Sequence, residues 1–231
     1  MFQSKITKEE VNQLPIVSFD GKITLIEDES QVAEAVNYLL QSEFLGVDTE
    51  NKPSFTRGVR HKISLVQISN LDHCVLFRLN KIGFPKELAD LLADEKVMKV
   101  GLALRDDFAG LNRLHRFKPA NHIDIQSIAK EYGILELGLQ KVFAIVFGRK
   151  ISKSQQLTNW ESPILTEQQQ RYAATDAWAS LLIYMQLLRE KKLSKKQVEQ
   201  LVAEANAAQV AQQQAAALIN RQQTTDNGQQ K

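Results

Sequence analysis

Apolar and polar positions along the chain switch between two periods. Residues 22–26, Lys-Ile-Thr-Leu-Ile, alternate as a strand. Val32, Ala35, Val36, Leu39 and Leu40 then recur at helical steps, behind Asp28 and Gln31 at capping-box spacing. The apolar run Phe44-Leu45-Gly46-Val47 follows as a strand and breaks into Asp48-Thr49-Glu50. Ile63–Ile68 and Cys74–Phe77 read as two further strands, with Leu71-Asp72-His73 in the turn between them. Three consecutive strands predict an antiparallel meander. After Pro85, strands and helices alternate: a helix through Leu88, Leu91 and Leu92, a strand over Val97–Gly101, and a helix over 105–115 ended by Pro119. A short extended piece, Ile123-Asp124-Ile125, precedes a helical turn closed by Gly133. A buried helix from Gly138 to Phe147 stops at Gly148, and a long helix runs from Thr166 to about residue 192. A shorter one opens at Thr7 and ends before Pro15. Strands first, then strand–helix units, predict an α/β class with a mixed sheet and helices packed on it.

Length adds a domain plan. With 231 residues, 43% of them hydrophobic, the chain can build one domain with a sizeable core and a smaller appendage. The expected division is an N-terminal extension over 1–21, the α/β domain over 22–192, and a tail over 193–231. The tail is rich in Ala and Gln. Its stripe of Val198, Leu201, Ala205, Ala208, Gln212, Ala215 and Ile219 forms a weak heptad, and disorder is expected from Thr224. Such a helix could pair with another or stay solvated, which leaves the oligomeric state open.

Charge narrows the partners. Against 29 basic residues stand 27 acidic ones, a net +2, so a nucleic-acid partner would have to be held by a local patch. The single Cys74 rules out an internal disulfide framework and a cysteine-rich zinc site, and suits a reducing compartment. The N-terminus carries Lys5, Lys8, Glu9 and Glu10 without an apolar signal core, and no apolar run is long enough to span a bilayer. A cytoplasmic protein with no membrane partner is expected.

Candidate chemistry begins at Asp48 and Glu50. On a strand they share one face while Thr49 takes the other. Two adjacent carboxylates repel, and a hard cation such as Mg²⁺ between them would relieve the repulsion; a solvated strand end is the simpler alternative. The following loop, 51–62, carries Arg57, Arg60 and Lys62, suited to phosphates or to an ordinary solvated hairpin. The loop Arg149–Ser154, with Arg149 and Lys153, is likewise a strand-binding rim or a solvated loop. Asp106 and Asp107 begin a helix, where the dipole favours acids, and Asp124 reads as a helix cap. Tyr172 and Asp176, four residues apart, project from one helical face, either as part of a site or as a core tyrosine bonded to a surface acid. His61, His73, His115 and His122 are surface or packing residues.

Taken together, Asp48-x-Glu50, then Asp107 six residues after Gly101, then Tyr172-x-x-x-Asp176 on a late helix resemble the DEDD superfamily of 3′-5′ exonucleases, in its tyrosine-bearing DEDDy branch. The wording around them, Gly-Val-Asp-Thr-Glu, Lys-Val-Gly, Asn159-Trp160 ahead of Leu165-Thr166-Glu167, and Tyr-Ala-Ala-Thr-Asp-Ala, is similar to the ribonuclease D and Werner-syndrome exonuclease group. The resemblance covers about residues 22–190. It implies a ribonuclease H-like mixed β-sheet flanked by helices. It also implies two Mg²⁺ or Mn²⁺ ions held by Asp48, Glu50, Asp107 and Asp176, with Tyr172 orienting the attacking water. Family spacing selects Asp107, although the sequence alone does not separate it from Asp106. The implied substrate is a single-stranded or frayed 3′ end of DNA or RNA, and the product a 5′-mononucleotide. Phe55, Arg57, Arg149, Lys153 and Trp160 are candidate substrate contacts, the aromatic pair for base stacking, while core packing is the role expected of Phe108. No stretch resembles the helical nucleic-acid-binding repeats of ribonuclease D or the helicase of the Werner protein. Two other readings stay open: a hydrolase of small phosphodiesters or nucleotides, and a catalytically weak nucleic-acid-binding protein of the same fold.

Overall fold

The computed structural model describes residues 2–54, 56 and 61–228. Residues up to Lys191 form one unit, and those from Lys192 a second. In chain order the first unit contains α1 (Lys8–Gln13), β1 (Lys22–Ile26), α2 (Val32–Leu39), β2 (Phe44–Asn51), β3 (Ile63–Ser69) and β4 (His73–Phe77). It continues with α3 (Leu79–Ile82), α4 (Lys86–Ala93), β5 (Met98–Gly101), α5 (Leu104–Leu111) and β6 (His122–Asp124). Helices α6 (Ile125–Ile128), α7 (Leu139–Phe147) and α8 (Glu167–Leu187) complete it. The second unit is the single helix α9 (Lys195–Gly228), which runs past Thr224, where disorder was expected.

The six strands lie in the order β1-β4-β3-β2-β5-β6. As the meander predicts, β2, β3 and β4 pair antiparallel, while β1 joins β4, and β5 and β6 join β2, in parallel. Alternation sorts the strand residues onto two faces. Leu45, Val47, Val66, Ile68, Val75 and Phe77 bury against α2, α4 and α5. Leu65, Cys74 and Leu76 bury on the other face, with Ala173 and Ala174 of α8, Phe19 and Trp160. Gly46, Asp48 and Glu50 share that second face, so α8 lies over the acids' own strand.

Several boundaries move for local reasons. The helix expected to reach Pro119 ends at Leu111, because Asn112 donates to the Phe108 carbonyl (3.0 Å) and accepts from the Phe117 N–H (3.0 Å), turning the chain. Asp28 accepts from Ser30 N–H rather than Gln31, capping a 3₁₀ turn ahead of α2. His73 opens β4 instead of sitting in the turn, its ring bonded to Thr24 across the β1–β4 pair (2.8 Å). Helix α8 opens on the Thr166–Gln169 capping box and stops at Leu187.

Among the described residues, Arg78 and Lys99 are fully buried cations, which the sequence pattern does not show. Arg78 donates to Glu27 (2.9 Å) and to the carbonyls of Pro163 and Ser162, tying the end of β4 to the segment ahead of α8. Lys99 donates to the carbonyls of Asp94 and Val97 beside β5. The N-terminal segment is a strap. Val17 N–H donates to the Lys150 carbonyl (2.9 Å), Lys150 N–H to the Pro15 carbonyl (3.0 Å), and Phe19 N–H to Thr175 on α8 (3.0 Å). No helix among the described residues is long and apolar enough to cross a membrane.

Candidate active site

The site forms where β2 passes under α8. A side chain at Gly46 would place its Cβ 1.9 Å from the Ala177 carbonyl oxygen, so glycine is what lets the helix backbone lie on the strand. Two residues along β2, Asp48 meets Asp176, the residue before Ala177. Carboxylate oxygens of Asp48, Glu50 and Asp176 all lie within 4.8 Å of one another. The strand period and the helical i, i+4 spacing thus aim the residues as the sequence implies.

The electrostatics are those of an uncompensated acid cluster. Burial, then the charges of Asp107, Asp176 and Glu50, raises the Asp48 carboxyl far above the usual carboxylate range. Burial, then Asp176 and Asp107, pushes Glu50 up to about 9. Asp176 rises to about 7 through burial, opposed by a hydrogen bond from Tyr172 and by the charge of Lys153. Burial and these acids also raise the Tyr172 phenol, which therefore keeps its proton at neutral pH. Such clusters are where divalent cations bind, since a bound 2+ charge supports several carboxylates at once.

Asp107 arrives from the opposite face. Helix α5 packs with Val47 and Val66 on the sheet face away from α8. From there the Asp107 carboxylate accepts a 2.5 Å hydrogen bond from Thr49, whose side chain points to that face. Burial raises Asp107 to about 6, the Thr49 bond opposing. Its neighbour Asp106 is exposed, so geometry separates two acids that spacing leaves together. A strained entry sets the start of α5: Ala103 sits at φ 65°, with its N–H on Asp124 (3.0 Å). Asp124 also caps α6 through Gln126 N–H, as expected.

A cleft of about 300 Å³ opens over the acids, lined by Asp48, Glu50, Tyr172 and Asp176 and, on the far wall, by Gln140, Ser152 and Lys153. The basic loop therefore divides. Lys153 reaches the cleft, whereas Arg149 is exposed and is not among its lining residues, and Lys150 is held by the strap, its ammonium on the Asn12 carbonyl (2.5 Å). Trp160 corrects the stacking expectation. It is 0% exposed, buried in the core with its ring 6.0 Å from that of Tyr172, and so has no face to offer a base. Phe108 is buried, as core packing requires. Phe55, Arg57 and Arg60 lie outside the described residues. The sequence reading missed Thr49 as a partner of Asp107; the signal was its place between the two acids, on the face that α5 covers.

Residues 23–192 match the family model described as 3′-5′ exonuclease. The bifunctional 3′-5′ exonuclease/ATP-dependent helicase WRN of Mus musculus is 28% identical over 190 residues, covering 76% of this chain and 13% of the mouse protein. Ribonuclease D of Haemophilus influenzae is 29% identical over 181 residues, covering 77% and 44%. The chain thus spans less than half of either relative. Among solved structures, ribonuclease D of Trypanosoma brucei in complex with RNA U12 superposes with a TM-score of 0.66 at 22% identity, covering 75% of this chain and 64% of that one. Sheet order, acid cluster and family match converge: this chain belongs to the 3′-5′ exonuclease family, a family of hydrolases.

Proposed function

We propose that the chain is a divalent-metal-dependent 3′-5′ exonuclease that cleaves the terminal phosphodiester of a single-stranded or frayed DNA or RNA end and releases 5′-mononucleotides. The observation that carries this is the meeting of the Asp48, Glu50 and Asp176 carboxylates within 4.8 Å, beside a protonated tyrosine, in an open cleft. Their raised pKa values are the response of an acid set that wants a cation, so the residues fit the metal the family uses. Asp48, Glu50, Asp107 and Asp176 would hold two ions, Mg²⁺ or Mn²⁺. When bound, such ions activate a water and neutralise charge on the phosphate and the departing 3′ oxygen.

The chain's own groups supply the rest. Tyr172 remains a phenol and orients the attacking water by hydrogen bonding, because burial and three neighbouring acids disfavour the phenolate. Lys153, at the cleft wall, attracts the substrate phosphates. The test is digestion of 5′-labelled single-stranded DNA and matched RNA with Mg²⁺ or Mn²⁺, alongside Asp48→Asn. A stepwise ladder from the 3′ end, lost in the variant, is expected. Folded protein that binds the metal but produces no ladder on either strand would overturn the polymer-exonuclease reading in favour of small phosphodiesters.

A further inference from the structure

Gln67 of β3 is the register partner of Asp48 on β2. Partners across an antiparallel pair share a sheet face and stand within side-chain reach, so Gln67 lies beside Asp48 under α8. Its partner on the other side, in β4, is the apolar Leu76. Gln67 is 0% exposed, and neither its side-chain oxygen nor its nitrogen has a hydrogen-bond partner. Two other buried side-chain atoms are unpaired among the described residues, Arg78 Nε and Trp160 Nε1, but only in Gln67 are donor and acceptor both idle. A buried amide with nothing to bond is unfavourable in itself, and native interiors rarely keep one without a use.

We propose that Gln67 is a positioning residue for Asp48: its amide N–H donates to the carboxylate oxygen that a bound divalent cation leaves free, fixing the acid's orientation. The proposal rests on the metal-dependent reading above. The residue type fits the task. A lysine there would compete with the cation, and a glutamate would add another negative charge to an overloaded cluster, whereas an amide donates without charge. Partners of this kind orient metal ligands, and their loss typically weakens metal binding about 10- to 100-fold.

Gln67→Leu separates the roles, because it removes both idle polar atoms at similar volume. The full chain, its Gln67→Leu form and Asp48→Asn are titrated with Mn²⁺ by calorimetry without substrate, and their metal-free melting temperatures are compared. The expected result is a melting temperature equal to or above that of the parent, with an Mn²⁺ dissociation constant roughly 10- to 100-fold higher. Kinetics should show the loss in kcat, with KM for an oligonucleotide unchanged. Unaltered Mn²⁺ affinity in Gln67→Leu would overturn the positioning role and leave the exonuclease reading standing. If the parent shows no Mn²⁺ binding that Asp48→Asn removes, the metal reading fails and takes this proposal with it. Should Gln67→Leu not fold, Gln67→Met supports the same two measurements.

Discussion

Substituting Gly46 by alanine tests whether one backbone contact sets the spacing of the acids. The added Cβ would lie 1.9 Å from the Ala177 carbonyl oxygen, 2.8 Å from its carbon and 3.1 Å from Leu181 Cβ. Carbon–oxygen contacts settle at about 3.3 Å, so α8 and β2 must part by roughly 1.4 Å. Neither side can yield by a rotamer change, because the obstacle is main chain. Overpacking of this kind costs about 1–3 kcal/mol, and the upper end is expected here. At about 2–4 °C per kcal/mol for a chain of this size, about 3 kcal/mol lowers the melting temperature by roughly 6–12 °C. The larger effect falls on turnover. Asp176 and Tyr172 ride on α8 while Asp48 and Glu50 stay on β2, and a misplacement near 1 Å removes about 100-fold in rate. The assay is a thermal melt paired with single-turnover digestion of a labelled oligonucleotide at 20 °C. Gly46→Ala protein with the parent's melting temperature and rate would refute the claim that strand–helix contact fixes the site.

Further consequences follow from the electrostatics and the core. Glu50 at about 9 and Asp176 at about 7 stand above the roughly 4 of an unfolded carboxylate, so between those values the folded chain keeps protons that the unfolded chain releases. In EDTA, the cluster's contribution to stability should therefore be fully present below about pH 4, decline from there as pH rises through 7 and 9, and level off above. Mn²⁺ should suppress that fall, and Glu50→Gln should flatten it while raising the pH 8 melting temperature by about 2–8 °C, taking about 1–2 kcal/mol of relieved repulsion. A pH-independent melt in EDTA would contradict the charge cluster. Thr49→Val removes the hydrogen bond that holds Asp107 down, so the acidic limb of the kcat/KM profile should move to higher pH; an unmoved limb would mean that Asp107 does not titrate with activity. Trp160→Ala should destabilise by about 3–5 kcal/mol in urea unfolding, as a filled core position does, and Trp160→Phe should leave KM unchanged; a large KM rise in the phenylalanine form would restore a stacking role.

The parts of the site that obey a local period were legible in the sequence. Two residues on a strand put Asp48 and Glu50 on one face, and four on a helix put Tyr172 and Asp176 together. What was not legible depends on which face a third element covers. Asp107 stands behind the sheet, outside the three acids that meet within 4.8 Å, held by a threonine whose direction could be read but whose partner could not. Trp160 sits in a motif with functional neighbours, yet only the packing of Leu65, Phe19 and Tyr172 around it shows that it is core. Arg78 and Lys99 look like surface cations in any hydropathy pattern because the carbonyls that satisfy them belong to irregular backbone, at Ser162 and Pro163 in one case and Asp94 and Val97 in the other. Gln67 is a polar position in a mostly apolar strand, and its meaning depends on its partner across the pair.

The N-terminal strap bears on where this domain can be cut. The family match begins at residue 23, but Val17 N–H donates to the Lys150 carbonyl and Lys150 N–H to the Pro15 carbonyl, the Phe19 ring stands 6.0 Å from that of Trp178, and the Phe19 carbonyl holds Arg171, the residue before Tyr172. A recombinant piece trimmed to residues 23–192 would leave those groups unpaired on the two segments that flank the cleft. The segment matched by the family model and the folding unit are different lengths of chain, and grafting this domain onto another protein would have to carry the longer one.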